Sequence, residues 1–305
     1  EIGWCDWSSD VCSSDLWDRL VPVLKAGKTM ALVDRERFRV GKPIEAQMDA
    51  TQDQAEQHVL VLSPGYNESS YCTREMNRAI DTDPDFTRGA VLPVMRVDCE
   101  VPTPLKRPNL LYVDLRDDHR TTPWNDLLAA CDADLGCDAP QWLDVRDEVR
   151  RKLAAGRSVN LVVSGEQIAW RALINQIGEA SEAGMVRVDL NSAHTIERPG
   201  LLAAMLDENE TAHILPRPPR DLSEFQRIVE SRPLPSRIAL LHFDQVQFRK
   251  YGTDYLTTLR YLVTEQRKLV LLIESRDPLV SLLKHDYRCL MSDLTIECVH
   301  LRGSR

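Results

Sequence analysis

Glu75 is the residue on which a chemical reading of this chain turns. In Ser70-Tyr71-Cys72-Thr73-Arg74-Glu75-Met76, the apolar positions Cys72, Met76 and Ala79 recur at helical spacing. Glu75 falls on the same face, three residues after Cys72 and four before Ala79. An ionised carboxylate on an apolar stripe is costly to bury without a partner. Shielded from water, such a group also exerts a strong field on any positive charge that develops beside it. Two readings are open at this point. In one, Glu75 lies at the edge of the stripe and makes a solvated pair with Arg78 at i+3, which contributes little. In the other it is a functional carboxylate. A capping box does not account for it, because counted from Ser69 or Ser70 it lies past the third helical position.

The elements that must position Glu75 are legible on both sides. Val59-Leu60-Val61-Leu62 reads as a buried strand that stops at the turn cluster Ser63-Pro64-Gly65, and the helix starts after Asn67-Glu68-Ser69-Ser70. Upstream, Leu16 to Gly27 has helical spacing and Thr29 to Val33 reads as a strand. The loop Asp34 to Lys42 then carries Arg35, Arg37, Phe38 and Arg39, and Pro43 opens a helix expected to run to about Gln57. Downstream, Ala90 to Met95 and Leu110 to Leu115 read as strands, and Trp124 to Leu135 as a helix. Isolated glycines and the absence of a G-x-G-x-x-G run exclude a dinucleotide fold of the dehydrogenase kind.

The stretch Leu62-Ser63-Pro64-Gly65-Tyr66 through Tyr71-Cys72-Thr73-Arg74-Glu75-Met76 resembles the third strand and following helix of a TIR (Toll/interleukin-1 receptor) domain. The flanking elements match in family order over about Leu16 to Cys131, with Asp34 to Pro43 resembling the BB loop. The resemblance implies a flavodoxin-like parallel sheet and places Glu75 at the family's catalytic glutamate. Many TIR domains cleave NAD+, so the implied activity is release of nicotinamide with ADP-ribose or a cyclic isomer. NAD+ is then a substrate, and no cofactor is expected. Arg35, Arg37 and Phe38 are the loop residues expected to bind it, two as cations toward the pyrophosphate and one as an aromatic surface. Ser69, Tyr71 and Cys72 match neighbouring family positions and are assigned to packing and pocket shape. The alternative is a non-catalytic module that signals by binding other TIR domains, with Phe38 or Arg37 as the anchor. Either way, self-association through TIR domains is implied.

Residues 1–15 contain the near-repeat Ser8-Ser9-Asp10-Val11-Cys12-Ser13-Ser14-Asp15 and show no aliphatic strand. They are expected to be an artefactual or disordered segment, leaving the TIR domain, residues 16–135, without its first strand. Residues 136–140 read as a linker, and 141–305 as a second α/β domain with its own alternating order. Its strands are expected at Val159 to Val163, Val186 to Leu190, Ile238 to Phe243 and Leu269 to Ile273. Leu240-Leu241-His242-Phe243-Asp244 resembles a Walker B strand, and Leu269 to Pro278 the sensor strand of an AAA or STAND-type NTPase. The phosphate loop is missing: Ser164-Gly165-Glu166-Gln167-Ile168-Ala169-Trp170-Arg171-Ala172 offers neither its lysine nor its magnesium-binding hydroxyl. The domain is expected to be a degenerate P-loop relative in which Asp244 is a structural strand-end acid. No lid or winged helix is expected beyond Cys298-Val299-His300-Leu301. A TIR effector joined to such a module resembles bacterial antiphage systems, in which sensing drives self-association and NAD+ consumption.

Composition sets outer limits. The chain has 305 residues and a formal net charge of -9, with no long basic run, which does not suggest nucleic acid as a partner. Its eight cysteines form no C-x-x-C pair and no Cys/His ligand spacing, the usage of a reduced, cytoplasmic protein without a metal. No apolar run is long enough for a membrane span, and none near the start resembles a signal peptide.

Overall fold

In the computed structural model, residues 2–4, 16–33, 38–66, 68–108, 110–179, 184–206, 219–248, 251–282 and 296–303 are described. The chain divides into two compact units, Glu1–Leu143 and Asp144–Arg305. Both are α/β, and among the described residues every strand pairing in both is parallel.

The first unit contains β1 (Ile2–Trp4), α1 (Val21–Ala26, preceded by the π-helical turn Leu16–Leu20), β2 (Ala31–Leu32), α2 (Ile44–Gln52), β3 (Gln57–Leu62) and α3 (Ser70–Thr82). It continues through β4 (Val91–Met95), β5 (Val113–Asp114) and α4 (Thr121–Ala130). The strand order is β2-β1-β3-β4-β5, the flavodoxin-like arrangement, whose ligands sit outside the carboxyl ends of the strands. Val59 to Leu62 are all buried, as a central parallel strand covered on both faces requires. Pro93 lies inside β4 without breaking a ladder. His58 N–H donates to Ala90 O and Arg96 N–H to Leu62 O, so alternate residues of β4 face β3. Pro93 therefore faces β5, which pairs only from Val94 onward.

One expectation is overturned here. The sheet is not short of its first strand, because Ile2–Trp4 pairs with β2 on one side and β3 on the other. Three residues, one of them glycine, give neither an aliphatic run nor an alternation to read. Their place is fixed by ladders to two neighbours that lie more than 25 residues away in the chain. Residues 5–15 lie outside the described residues. Two helix ends also differ from expectation. α2 stops at Gln52 because Gln57 already belongs to β3. α4 stops at Ala130 because Asp132 adopts a left-handed backbone (φ 49°) and the Ala133 N–H closes back on Leu128 O, a Schellman-type ending.

The second unit follows from α5 (Ala139–Ala154), which begins inside the expected linker. It contains β6 (Val159–Ser164), α6 (Trp170–Glu179), β7 (Val186–Asp189), α7 (Arg198–Leu206), α8 (Leu222–Ser231) and β8 (Ser236–Leu241). Then come α9 (Thr253–Arg260), β9 (Leu269–Ser275), the short α10 (Leu279–Leu282) and β10 (Glu297–Arg302). The order is β10-β6-β9-β8-β7, so the four expected strands are joined by a fifth beside β6. β9 is buried along its whole length, whereas β10, at the edge, buries only Val299 and Leu301. Val188, Leu240, Leu271 and Ile273 meet Leu201, Met205, Phe225 and Tyr255 in one core.

Candidate active site

The helix that carries Glu75 is fixed at three places. Ser69 caps it, its Oγ accepting the Cys72 N–H at 3.2 Å. Its inner face, Cys72, Met76 and Ala79, joins Leu60, Leu62, Tyr66, Val91 and Leu105 in the core. Its outer arginines turn to α2: Arg74 pairs with Glu45 and Asp49, and Arg78 with Asp49 and Asp53. That last pairing bears on the first reading of Glu75, the solvated pair. Arg78 is engaged by α2, and Glu75 is 3% exposed, so it is no solvated surface pair. Its backbone carbonyl also accepts the Gln52 side chain at 3.3 Å, a second link to α2.

α2 in turn holds the end of the preceding loop. The Gln47 side-chain oxygen accepts the Arg39 N–H at 2.7 Å, and its amide donates to the carbonyls of Arg39, Lys42 and Pro43. One side chain therefore ties the loop end to the first turn of α2, and α2 is tied to the helix bearing Glu75. A glutamine in the first turn after a loop, reaching backward as in a capping box, is the signal that would have found it. Phe38 is half-buried just before this clamp, and Val40 is fully exposed within it. Arg35 and Arg37 lie outside the described residues. Of the other expected residues, Tyr71 is half-buried and Cys72 is completely buried.

Other polar groups shape this unit without having been foreseen. Ser63, at the carboxyl end of β3, is 2% exposed, and among the described residues its hydroxyl has no hydrogen-bond partner. After β4, the buried Arg96 donates to Leu115 O and pairs with Asp118 at 2.6 Å, and Arg19 reaches the same carboxylate at 3.2 Å. Asp83, 2% exposed, accepts the backbone N–H groups of Thr87, Arg88 and Ala90 and so shapes the turn from α3 into β4.

At the carboxyl ends of the second unit's strands, charged groups converge from four segments. Arg171, at the start of α6, meets His242 Nε2 at 2.8 Å and Asp189 at 3.6 Å. Trp170 stands edge-on to the His242 ring and lies under the Arg171 guanidinium. His242 has a left-handed backbone (φ 56°), uncommon without glycine, and its N–H donates to Glu274 at 2.6 Å. Burial lowers the His242 pKa, and burial pushes the Glu274 carboxyl up to about 7, helped by the nearby Asp244 and Asp189 charges. Asp244 accepts the Arg276 N–H with both oxygens at 3.1 Å, the structural use expected of it. Where a phosphate loop would hold anions, this unit places the exposed acid Glu166, a tryptophan and an internal ion network.

A parallel sheet in the order 2-1-3-4-5, with a carboxylate buried on the helix after its third strand, defines the first unit as a flavodoxin-like α/β domain. Residues 13–128 match the family model described as TIR domain, and this unit carries a TIR domain. The chain is similar to the TIR domain of the Toll-related receptor TRR-2 from Hydra magnipapillata, at 17% identity and a TM-score of 0.37 over 43% of this chain and 97% of that one. It is also similar to the Aeropyrum pernix ORC2 protein, solved as ADPNP and ADP complexes, at 13% identity and a TM-score of 0.40 over 53% of this chain and 47% of that one. No curated protein matches the chain. Among the described residues no helix is long and apolar enough to cross a membrane.

Proposed function

We propose that this chain is a TIR-type NAD+ hydrolase that breaks the bond between nicotinamide and ribose and is regulated by self-association, in signalling or antiphage defence in the cytoplasm. The observation that carries the reading is the burial of Glu75 on the core face of α3 while both neighbouring arginines are spent on α2.

The chemistry asks little of the protein beyond that carboxylate. As the C1′–N1 bond breaks, its electron pair moves onto the pyridinium nitrogen, and nicotinamide leaves neutral, with no acid needed to protonate it. The ribose becomes an oxocarbenium-like cation, which Glu75 stabilises by its field or by transient bonding. Water then adds to C1′ and loses a proton, giving ADP-ribose; attack by an internal nucleophile of the substrate gives a cyclic isomer instead. A carboxylate screened from water acts more strongly on that cation than an exposed one. Arg35 and Arg37 are proposed to meet the pyrophosphate and Phe38 a ring of the substrate, with Ser69, Tyr71 and Cys72 setting the shape of the pocket.

The fully exposed Val40 beside Phe38 favours a second reading, in which this loop is a contact surface of a non-catalytic scaffold. One assay separates the two: nicotinamide release from NAD+ at high protein concentration, for the native chain and for Glu75→Gln. Release that disappears in the variant supports the hydrolase. Equal release by both proteins rejects Glu75 as the catalytic carboxylate, and release by neither leaves the scaffold.

A further inference from the structure

We propose that the amino-terminal edge of the second unit's sheet binds the phosphate backbone of a nucleic acid, without regard to base sequence. Three clefts lie along this edge. The largest, about 590 Å³, opens at the starts of β6, β9 and β10 and is lined by Arg157 and Arg267. The next, about 280 Å³, opens at the starts of β7 and β8 and is lined by Arg232 and Arg237. The third, about 260 Å³, lies between the ends of α5 and α6 and is lined by Arg150, Arg151 and again Arg237. Met185 and Arg237 are common to two of the clefts and Pro235 to another two, so the three form one furrow.

Its charge is one-sided. Six arginines line it, and the acid among the lining residues is Glu297, which pairs with Arg157 at 2.8 Å and with Lys152. No carboxylate among the described residues pairs with Arg150, Arg151 or Arg267 in a salt bridge. Neighbouring strands lie about 4.8 Å apart, so the furrow runs roughly 19 Å from β10 to β7. Arg157 is paired with Glu297, and Arg232 donates to Ser236 Oγ and Leu206 O, so Arg150, Arg151 and Arg267 are the arginines that carry the proposal. The guanidinium fork suits phosphate oxygens. The lining holds no tryptophan, tyrosine or phenylalanine, so there is nothing on which bases would stack, and recognition is confined to the backbone.

The chain's net charge of -9 does not oppose this. The acids are concentrated elsewhere, as in residues 121–145, which hold five aspartates and no Lys or Arg. At physiological salt, charges beyond about 8 Å are largely screened. The furrow is separate from Glu75 in sequence and in fold, so this inference does not rest on the NAD+ reading.

The test is fluorescence anisotropy of the full chain with a labelled duplex of about 20 base pairs in two unrelated sequences. Equal affinity for both is expected, falling on the order of 10²-fold between 50 and 200 mM salt if about four phosphates are neutralised. Combining Arg150→Glu, Arg151→Glu and Arg267→Glu is expected to weaken binding at least tenfold with an unchanged melting temperature. Arg151→Gln alone, at an exposed helix position, keeps the test open if the triple variant does not fold. It is expected to lower the salt slope by about one. Absence of binding at 50 mM salt, binding that neither variant weakens, or labelled poly-glutamate binding as tightly as the duplex would each overturn the proposal.

Discussion

At the scale of single residues, three carboxylates hold the same kind of position and do different work. Glu75 is buried beside a cysteine and a methionine on a helix whose arginines face away. Removing its charge while keeping its shape, Glu75→Gln, is expected to lower the rate of nicotinamide release by roughly 10²-fold or more, the usual cost of losing a pre-organised electrostatic group. Thermal unfolding measured beside the rate separates a loss of chemistry from a loss of fold. Asp83 is structural: it accepts three backbone N–H groups, so Asp83→Ala should cost about 2–3 kcal/mol in denaturant unfolding, with the m-value unchanged. Glu274 is hard to ionise. Its carboxyl ionises near 4.5 when unfolded and at about 7 when folded, because burial penalises the charge. The folded state therefore binds more protons between those values, and this group's contribution to stability falls as pH rises from about 4.5 to 7. A shift of that size corresponds to on the order of 3 kcal/mol. Glu274→Gln should flatten that part of the stability profile, and a native profile that already rises steadily from pH 5 to 7 would count against the assignment.

At the scale of elements, α2 is the connector. It grips α3 through Asp49 and Asp53 and grips the loop before it through Gln47. The ion pairs are exposed and individually weak, so the directional hydrogen bonds of Gln47 have the larger say in where the loop end sits. Gln47→Ala is expected to raise KM for NAD+ by about three- to tenfold while kcat changes less, because the loop end must be ordered on binding. The stability cost should be near 1 kcal/mol, since the replaced bonds are solvent-exposed. An equal fall in kcat with KM unchanged would place Gln47 in the chemistry instead. The N-cap supplies a control on the same helix. Ser69→Ala should cost about 1 kcal/mol of stability.

At the scale of the whole molecule, the proposed regulation by self-association has a direct consequence. Specific activity in nicotinamide release should climb with protein concentration and level off once the assembled form dominates. Activity per molecule that stays constant over a hundredfold dilution would reject assembly as the control. In the second unit, Ser164 to Ala172 lacks the lysine and magnesium-binding hydroxyl of a phosphate loop. Its strand ends hold Arg171, His242, Glu274 and Asp189 in an internal network at the carboxyl edge, and its arginines line the opposite edge. The two edges of one sheet thus present different chemistry, an internal ion network at one and arginine-lined clefts at the other.

The sequence by itself determined the strands and helices whose pattern is local. The run Val59 to Leu62, the break at Ser63-Pro64-Gly65 and the stripe Cys72, Met76, Ala79 are read from neighbours a few residues apart, and so is the placing of Glu75 on that stripe. It also marked the missing phosphate loop, a matter of residue types in one short stretch. Tertiary structure decided whatever depends on distant partners. β1 is too short to have a pattern and exists through ladders to β2 and β3. Whether Glu75 was a surface pair or a buried acid turned on where Arg78 went, and Asp49 of α2 and Asp53 just past its end settled it. The six arginines of the furrow come from separate segments between residues 150 and 267, and no window of the chain reads as a basic run. Pattern along a chain reports which face a residue takes. What that face meets is set by the packing of elements far apart in sequence, because burial and charge pairing are properties of neighbours in space.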